Sequence, residues 1–580
     1  MKFSTEKIFK LLNSKDKATI SLFMLFSFLV VVMDLMALLL LGIALIVSTK
    51  LFFTTPSNEF KNFDKYLEIL NLESVNSVLL VMSMAGFLFL FKTFFSFLLL
   101  KNFFNFLSRL QVKVIDNLLQ KLFSSPIGII NKKSSHERSY ALINGANSLV
   151  MGVFGNLFIL SSEFISILAL LTLIFFVKAE FAIIILLFSV ISGYLIHTKL
   201  EKWAIFLGRE IANSDTASAL LIQQSIHGYR EKFTLNRLGI AVNEIKQSRI
   251  TSSKSQAGIY LLSHLTKFFL ELIIILAVVI ILVVMLLSKD LITIVIEVTF
   301  FASAVIRIMP SFLRFQSALL SLKASIGLSK STLDLADELA DQNISLQDFN
   351  SINLLTKKGI TNGHSKFSPE VVVEKLNFIY PNSKQSVLTN LNLVVNQGDM
   401  VAIQGKSGSG KSTLIDLILG ILTPTSGKVQ ISGVDSAKAI RTWPGAIGYV
   451  PQNVRIIDGT IRENIAFGVP ESLIDDKLIW ESLEKAQISD LVTQRSGLET
   501  KVGELGFEIS GGQSQRIGLA RALYTRPKLI ILDEATSALD EETENNFLRV
   551  LESFRENTST LIVSHKTSSL NYCNKFLDLN

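Results

Sequence analysis

Residues 405 to 413 read Gly-Lys-Ser-Gly-Ser-Gly-Lys-Ser-Thr. These types at this spacing can hold a triphosphate. Gly405, Gly408 and Gly410 let the backbone curl, with Ser407 inside the curl, so that several N–H groups aim at the phosphates. An apolar strand, Val401 to Gln404, is expected before this loop, and a helix from Thr413 to Leu419 after it. The helix amino terminus adds the positive end of its dipole. Lys411 supplies a point charge for the β and γ phosphates, and the Ser412 hydroxyl can ligate Mg²⁺. A glycine-rich turn that binds nothing would not need a strand before it and a helix after it. This is a P-loop.

A second piece of chemistry lies about 120 residues on. Leu529-Ile530-Ile531-Leu532 is a continuous apolar run that ends in Asp533-Glu534. A buried parallel strand has this pattern. Acids at its carboxyl end would lie beside the P-loop. Asp533 would hold Mg²⁺, directly or through water. Glu534 would polarise the attacking water as a general base.

These residues need an α/β frame. Val371 to Val373 and Met400 to Gln404 are further β-rich runs, and helical stretches alternate with them. We expect an α/β ATP-binding domain over 370–580. Before it, from 331 to 369, the chain is polar and rich in Ser, Asn, Asp, Lys and Gly, which reads as a linker. No internal repeat of solenoid length is visible.

The first 330 residues have another character. The whole chain is 49% hydrophobic and only 18% charged. Soluble domains carry nearer a quarter charged residues, so a membrane part is expected. Apolar runs near 20–48, 77–107, 156–177, 180–198, 259–288 and 291–315 are long enough to cross a bilayer, which predicts an all-α six-helix transmembrane domain. The first run is too long for the core of a cleavable signal peptide and is expected to remain as a span. The loops after the second and fourth runs are rich in Lys and Arg. By the positive-inside rule the amino end, both basic loops and the ATP-binding domain face the cytosol. Both loops are too long for plain connections, so we expect their helices to continue beyond the membrane, with tips at 124–135 and 225–233. The net charge of +7 is assigned to these loops beside anionic lipid, and no nucleic-acid partner is expected. The single cysteine, Cys573, excludes an intrachain disulfide framework.

Further motifs then carry a resemblance. Residues 370–578 resemble the ABC transporter ATPase family. Tyr380, in Asn377-Phe378-Ile379-Tyr380-Pro381, is similar to the aromatic that stacks on adenine. Gln452, in Tyr449-Val450-Pro451-Gln452, is similar to the glutamine that senses Mg²⁺. Ile509-Ser510-Gly511-Gly512-Gln513 resembles the family signature, with Ile where Leu is usual. Ser537-Ala538-Leu539-Asp540 resembles the loop that crosses the dimer seam, and His565 the switch histidine at the γ phosphate. The stretches Gly459 to Ile465 and Thr500 to Gly506 resemble the exporter branch, with Leu505 where a charged residue is common.

The resemblance implies ATP and Mg²⁺ as cofactors, and a head-to-tail pair of ATPases. Ser510, Gly511 and Gly512 of one copy would cap the ATP on the P-loop of the second. One chain has one ATPase. Its acid and signature are both intact, so a homodimer is favoured. The implied function is an ATP-hydrolysing exporter or flippase working by alternating access. The implied location is a bacterial inner membrane. A soluble ABC ATPase of DNA repair or translation is excluded by the spans. An ATP-gated channel or regulator on the same fold is the minor alternative.

The cargo is addressed by ionisable groups within the spans. One at mid-membrane costs about 2.5–3.5 kcal/mol on insertion scales and faces a cavity or a partner. Asp34 lies about halfway along the first run and Lys92 about halfway along the second, at depths where they would pair. Glu271 and Arg307, in the fifth and sixth, would likewise share a depth. Two readings stand: ion pairs that fix helix register, or a polar cavity for a substrate with a polar or charged head. Ile306 to Ser311, Asp34 and Gly228 to Phe233 resemble bacterial lipid-linked oligosaccharide flippases. That favours a lipid-linked oligosaccharide, with peptide, toxin or simple lipid export as the alternative. A fused peptide-processing cysteine protease is not expected, since only a short basic segment without cysteine precedes the first span.

Overall fold

The structure is a computed structural model. It describes residues 12–52, 75–177, 179–286, 291–340, 364, 366–381, 383, 385–503, 509–536, 539–564 and 566–579. Two compact units divide the chain: residues 1–125 with 129–343, and residues 126–128 with 344–580.

The first unit is helical. Its long helices are α1 (Ser14–Phe52), α2 (Val75–Phe123), α3 (Gly155–Val177), α4 (Ala179–His227), α5 (Leu238–Leu286) and α6 (Leu291–Leu328). Among the described residues, three stretches are long and apolar enough to cross a membrane: Ser14–Ala44, Val78–Phe123 and Ser135–Phe176. The expected spans near 180–198, 259–288 and 291–315 run through α4, α5 and α6, whose side chains there are described only in part. Large apolar side chains such as Phe87, Leu90 and Phe176 stand exposed, as lipid-facing positions do in the absence of lipid.

Helices α2, α4 and α5 are each 49 residues long. At 1.5 Å per residue each measures about 74 Å. A hydrocarbon core is about 30 Å thick, so each continues far beyond it. The turns at the tips lie at Ile127–Ile130 and at Gly228, where α4 gives way to Tyr229–Thr234. The extensions are laced by ion pairs, including Asp16–Lys113 at 2.6 Å and Asp215–Arg249 at 2.7 Å.

One boundary differs from the sequence reading. The polar stretch from 331 begins with a helix, α7 (Lys330–Glu338). Its Leu333 and Leu335, and Leu339 beyond it, join the core formed by Phe103, Leu107 and Leu149. Arg138, itself buried, anchors it through a 3.0 Å ion pair to Glu338. The apolar positions here are few and lie among charges, so composition alone hid the amphipathic face. Close helix approach elsewhere depends on glycine: a Cβ on Gly208 of α4 would strike the Ala324 carbonyl of α6.

Among the described residues the second unit holds three sheets. An antiparallel sheet has the order β2-β1-β4-β5, from β1 (Val371–Phe378), β2 (Leu388–Val395), β4 (Ser426–Ile431) and β5 (Val434–Asp435). A five-stranded parallel sheet has the order β11-β3-β10-β9-β6. Its strands are β3 (Met400–Gln404), β6 (Ile447–Val450), β9 (Leu529–Asp533), β10 (Ser559–Val563) and β11 (Lys575–Asp578). A short pair joins β7 (Gly459–Thr460) to β8 (Lys501–Val502). Strands β9 and β10 are buried at every residue, which is why β9 reads as an apolar run up to Asp533.

Register decides where the chemistry falls. Val563 of β10 lies opposite Ile403 on one side and Asp533 on the other. Val450 of β6 lies opposite Leu532. All these strands are parallel, so their carboxyl ends share one edge. That edge is where open α/β sheets bind ligands.

Candidate nucleotide site and membrane cavity

Four segments leave that edge together. The chain passes from β3 into the P-loop, and α8 (Lys411–Ile418) starts at Lys411, two residues before the expected Thr413. Gly408 and Gly410 sit at φ +83° and +98°, a region that other residues rarely adopt. A Cβ on Gly410 would also crowd Val387 and Leu388. Gly405 opens the curl, and Ser407 lies exposed within it. Lys411 is buried, and its Nζ donates to the carbonyls of Gly405 at 2.7 Å and Lys406 at 3.0 Å. The ammonium thus sits inside the curl.

The Ser412 hydroxyl donates to the Asp533 carboxylate. Burial pushes that carboxyl above its usual range, and the neighbouring Glu534 charge adds to the effect, while Ser412 and Lys411 oppose it. Burial also raises Asp416, and Tyr449 is pushed up to about 12 by burial and by the charges of Asp533 and Asp416. Gln452 Nε2 donates to Glu534 Oε2 at 2.7 Å. Tyr380 and Thr413 share a hydroxyl–hydroxyl bond of 3.0 Å, and the Tyr380 ring is two-fifths exposed and meets Phe378 edge to face. Hard oxygen donors thus collect at one place, which suits Mg²⁺. Among the described residues no group of three or more His, Cys, Asp or Glu could hold a metal by itself. A metal here would need the oxygens of a bound nucleotide.

The signature opens α9 (Gly511–Leu523). Ser510 caps it: its hydroxyl accepts from Gln513 N at 3.3 Å, and Gln513 Oε1 accepts from Ser510 N at 3.0 Å. Gly511 and Gly512 leave the first turn uncovered, a ready anion site. Asp540 caps α10 (Glu541–Ser553) through bonds from Thr543 N at 3.0 Å and Thr543 Oγ1 at 2.8 Å. Those bonds hold its carboxyl below the usual range. His565, Ser537, Ala538 and Leu505 lie outside the described residues.

Sequence reading missed one network. Glu544 is fully buried. It accepts from Lys566 Nζ at 3.1 Å and from the Ser569 hydroxyl at 2.5 Å. The same ammonium donates to the carbonyls of Thr536 at 2.9 Å and Leu539 at 3.1 Å. Lys566 therefore ties the segment after β10 to the one after β9. The signal was an acid on the apolar face of an amphipathic helix, opposite no visible partner.

In the helical unit, Asp34 and Lys92 do pair, at 2.7 Å. The second expected pair is corrected. Arg307 reaches Asp34 instead, its Nη2 donating to both carboxylate oxygens at 2.7 and 2.8 Å. Glu271 meets Lys267 on its own helix at 3.7 Å, and its side chain is outside the cavity. A shared depth along two helices does not fix which faces turn to each other. Asp34, Lys92 and Arg307 line a cavity of about 490 Å³, together with Glu163, Arg314 and several serines. Glu163 and Arg314 pair at 2.5 Å. The rule that selects Asp34 applies equally to these two, near the ends of their expected spans.

Comparison with known proteins decides the second unit. Residues 388–537 match the family described as "ABC transporter". The chain carries an ABC transporter ATP-binding domain. A "Multidrug resistance ABC transporter ATP-binding and permease protein" of Lactococcus lactis subsp. cremoris is 37% identical over 34% of this chain and 33% of its own. An "ATP-dependent lipid A-core flippase" of Francisella novicida is 35% identical over 37% and 36%. The chain thus spans about a third of the length of these curated relatives. A flippase of the same description from Cupriavidus pinatubonensis aligns over 82% of this chain and 78% of its own, at 25% identity. A solved bacterial Atm1-family ABC exporter with ATP bound matches the fold with TM-score 0.70, covering 94% of this chain and 93% of that one, at 19% identity. Apolar helices first and the ABC ATP-binding domain second make the half-transporter layout.

Proposed function

We propose that this chain is half of an ATP-hydrolysing exporter that moves an amphipathic substrate out of the cytosolic leaflet by alternating access. The observation that carries this reading is the shared sheet edge where Lys411, the Ser412–Asp533 pair and the Gln452–Glu534 pair meet, on a chain with membrane-crossing helices.

Two copies complete the machine. Lys411 of one copy and Ser510 to Gly512 of the second hold one ATP between them, with Tyr380 against the adenine. Glu534 acts as general base, His565 reaches the γ phosphate, and Asp540 lies at the seam. Mg²⁺ would be held by Ser412, Asp533 and Gln452, and would neutralise charge on the phosphates. Coupling is a population shift: the nucleotide binds the closed pair better than the open one. The location is a bacterial inner membrane, with the amino end and the ATPase cytosolic.

Among substrates, a lipid-linked oligosaccharide is favoured, on the residues around Arg307, Asp34 and Gly228 to Phe233. Relatives named as lipid A-core flippases support a lipid; those named for multidrug resistance keep simpler amphipaths in view. The test is ATP-dependent translocation of a labelled lipid-linked oligosaccharide in proteoliposomes, with Glu534→Gln as the blank. Transport lost in the blank supports the reading. No transport beside a healthy ATPase removes this cargo and moves the search to peptides and simple lipids. Steady ohmic conductance would replace the pump with a channel.

A further inference from the structure

Helix α3 is the upper part of a longer helical stretch that starts at Ser135. Two portions of that stretch, Ala141–Gly145 and Ser148–Phe154, are π-helical. In a π turn each N–H bonds five residues back, as Ala146 does to the Ala141 carbonyl. Such turns are rare, and they take up an extra residue. They therefore set the rotation of all that follows them.

Two hydroxyl side chains hold the wide turns. Thr332 of α7 is fully buried, and its Oγ1 donates to the Ala141 carbonyl at 2.5 Å. The same hydroxyl fills the space that a Cβ on Gly145 would need. Ser325 of α6 fills the equivalent space at Gly152, whose carbonyl also accepts from Asn156 Nδ2 at 2.6 Å. The two contacts keep the same spacing on both partners, which run antiparallel, so each contact supports the register of the other. The tip of the stretch is pinned separately. Arg138 bonds Glu338 at 3.0 Å and the Ile129 carbonyl at 2.6 Å. A change in the residues that the wide turns absorb must then show at the membrane end.

That end brings Ser162, Glu163 and Ser166 onto the membrane cavity, where Glu163 meets Arg314, while Ser161 is not among the lining residues. One residue turns an α-helix by about 100° and advances it by about 1.5 Å. Tightening the stretch by one residue puts Ser161 where Ser162 was, and Ser162 where Glu163 was. The cavity loses that carboxylate, and Ile165 replaces Ser166.

We propose that Thr332 is a positioning residue for transport. Its hydroxyl, seated against Gly145 and bonded to Ala141, keeps the stretch π-helical and so decides which side chains of α3 line the cavity. Thr332 itself lies outside the cavity. It stands on α7, the helix from which the chain runs on toward the ATP-binding domain, so a pull on α7 acts on this hydroxyl early. The proposal rests on the exporter reading only for what the cavity is used for.

The experiment is labelling of single cysteines by a charged maleimide, on the full-length protein in detergent micelles without nucleotide. Cys573 is the one native cysteine, so Cys573→Ser gives a clean background. Ser161→Cys and Ser162→Cys are made in it separately. With Thr332 present, the thiol at 162 should react about tenfold faster than the thiol at 161, since reactivity follows exposure. Thr332→Val keeps the shape and loses the donor, leaving the Ala141 carbonyl short of a partner. It should reverse the order of the two rates. Gly145→Ala, which drives the hydroxyl out, should do the same. Thr332→Ser keeps the donor and should keep the parent order. A lower melting point for Thr332→Val with the order of rates unchanged would make Thr332 a packing residue and overturn the proposal. So would a reversal by Thr332→Ser as full as that by Thr332→Val. If Gly145→Ala does not fold, the contrast between the valine and serine variants still decides. Neither ATP nor cargo enters this assay, so its failure leaves the exporter reading standing, and failed ATP-driven transport leaves the register result standing.

Discussion

Gln452 Nε2 donates a 2.7 Å hydrogen bond to Glu534 Oε2, so the proposed base and the proposed Mg²⁺ sensor touch before any nucleotide is considered. Glu534 is also held at φ +49°, an unusual backbone for a non-glycine residue, with its N–H bonded to the Val563 carbonyl. A residue fixed this firmly is positioned rather than swung into place. Glu534→Gln keeps the shape and the bond to Gln452 through an amide flip, but loses the base. Turnover should fall by about 10²–10⁴, the usual worth of general-base catalysis. Nucleotide affinity should stay within a few-fold. Steady-state ATPase beside equilibrium ATP binding checks both, and unchanged turnover would remove Glu534 from its role.

Lys411 presents a different balance. Its Nζ already satisfies the carbonyls of Gly405 and Lys406, so the curl holds its charge ready for phosphate. Lys411→Ala should leave the domain folded, since Lys406 is exposed and Gly405 partly so. ATP affinity should drop about 10- to 100-fold, the loss of a charged hydrogen-bond donor. Titration with a fluorescent ATP analogue measures this directly.

Much of the ATPase was legible before its fold because the chemistry is local in sequence. The P-loop and the strand ending in Asp533 each occupy a short window whose pattern can be read, while the signature at Ser510 was legible by resemblance. Gln452 and Tyr380 were legible only by resemblance, since nothing local joins Gln452 to Glu534. The Asp34–Lys92 pair was legible from depth. The Arg307 partner was not, because depth leaves the helix rotation free. Lys566 and Glu544 were invisible for the same reason: two strands and a helix must be assembled before a lysine after β10 meets an acid on α10. Helix α7 was missed because Leu333, Leu335 and Leu339 stand among Lys, Ser, Thr, Asp and Glu and look like linker until there is a core to receive them.

Asp533 gives a pH prediction. Its carboxyl is raised by burial and by Glu534. In the window just above the ordinary carboxylate range, the native state therefore binds more protons than the unfolded state. Stability must then fall as pH rises through that window. Asp533→Asn removes the penalty. The variant should melt higher than the parent at neutral pH, and the gain should vanish on acidification below about 3.9. It should also lose Mg²⁺-dependent ATPase. Melting of the two full-length proteins across pH is the check, and a gain that grows on acidification would refute the assignment.

Lys566 offers the sharpest mutational contrast. Glu544 is fully buried, and Lys566 sets a positive charge 3.1 Å from its carboxylate. Lys566→Met removes that charge from beside a buried carboxylate that keeps its bond from Ser569. Breaking a buried pair from one side costs about 3–5 kcal/mol, and the low end applies because Lys566 is about a third exposed. In a domain of this size each kcal/mol moves the melting point by about 2–4 °C, so a fall of roughly 6–12 °C is expected. Glu544→Gln leaves no stranded charge and keeps an acceptor for Ser569 and Lys566, so its loss should be smaller. Lys566→Met also releases the Thr536 and Leu539 carbonyls, which lie just before Asp540, the residue proposed for the dimer seam. ATPase at a temperature where both remain folded should therefore drop further in Lys566→Met than in Glu544→Gln. Equal melting points for the two would mean that the carboxylate has another countercharge, and that the tie between the segments is not held by this pair.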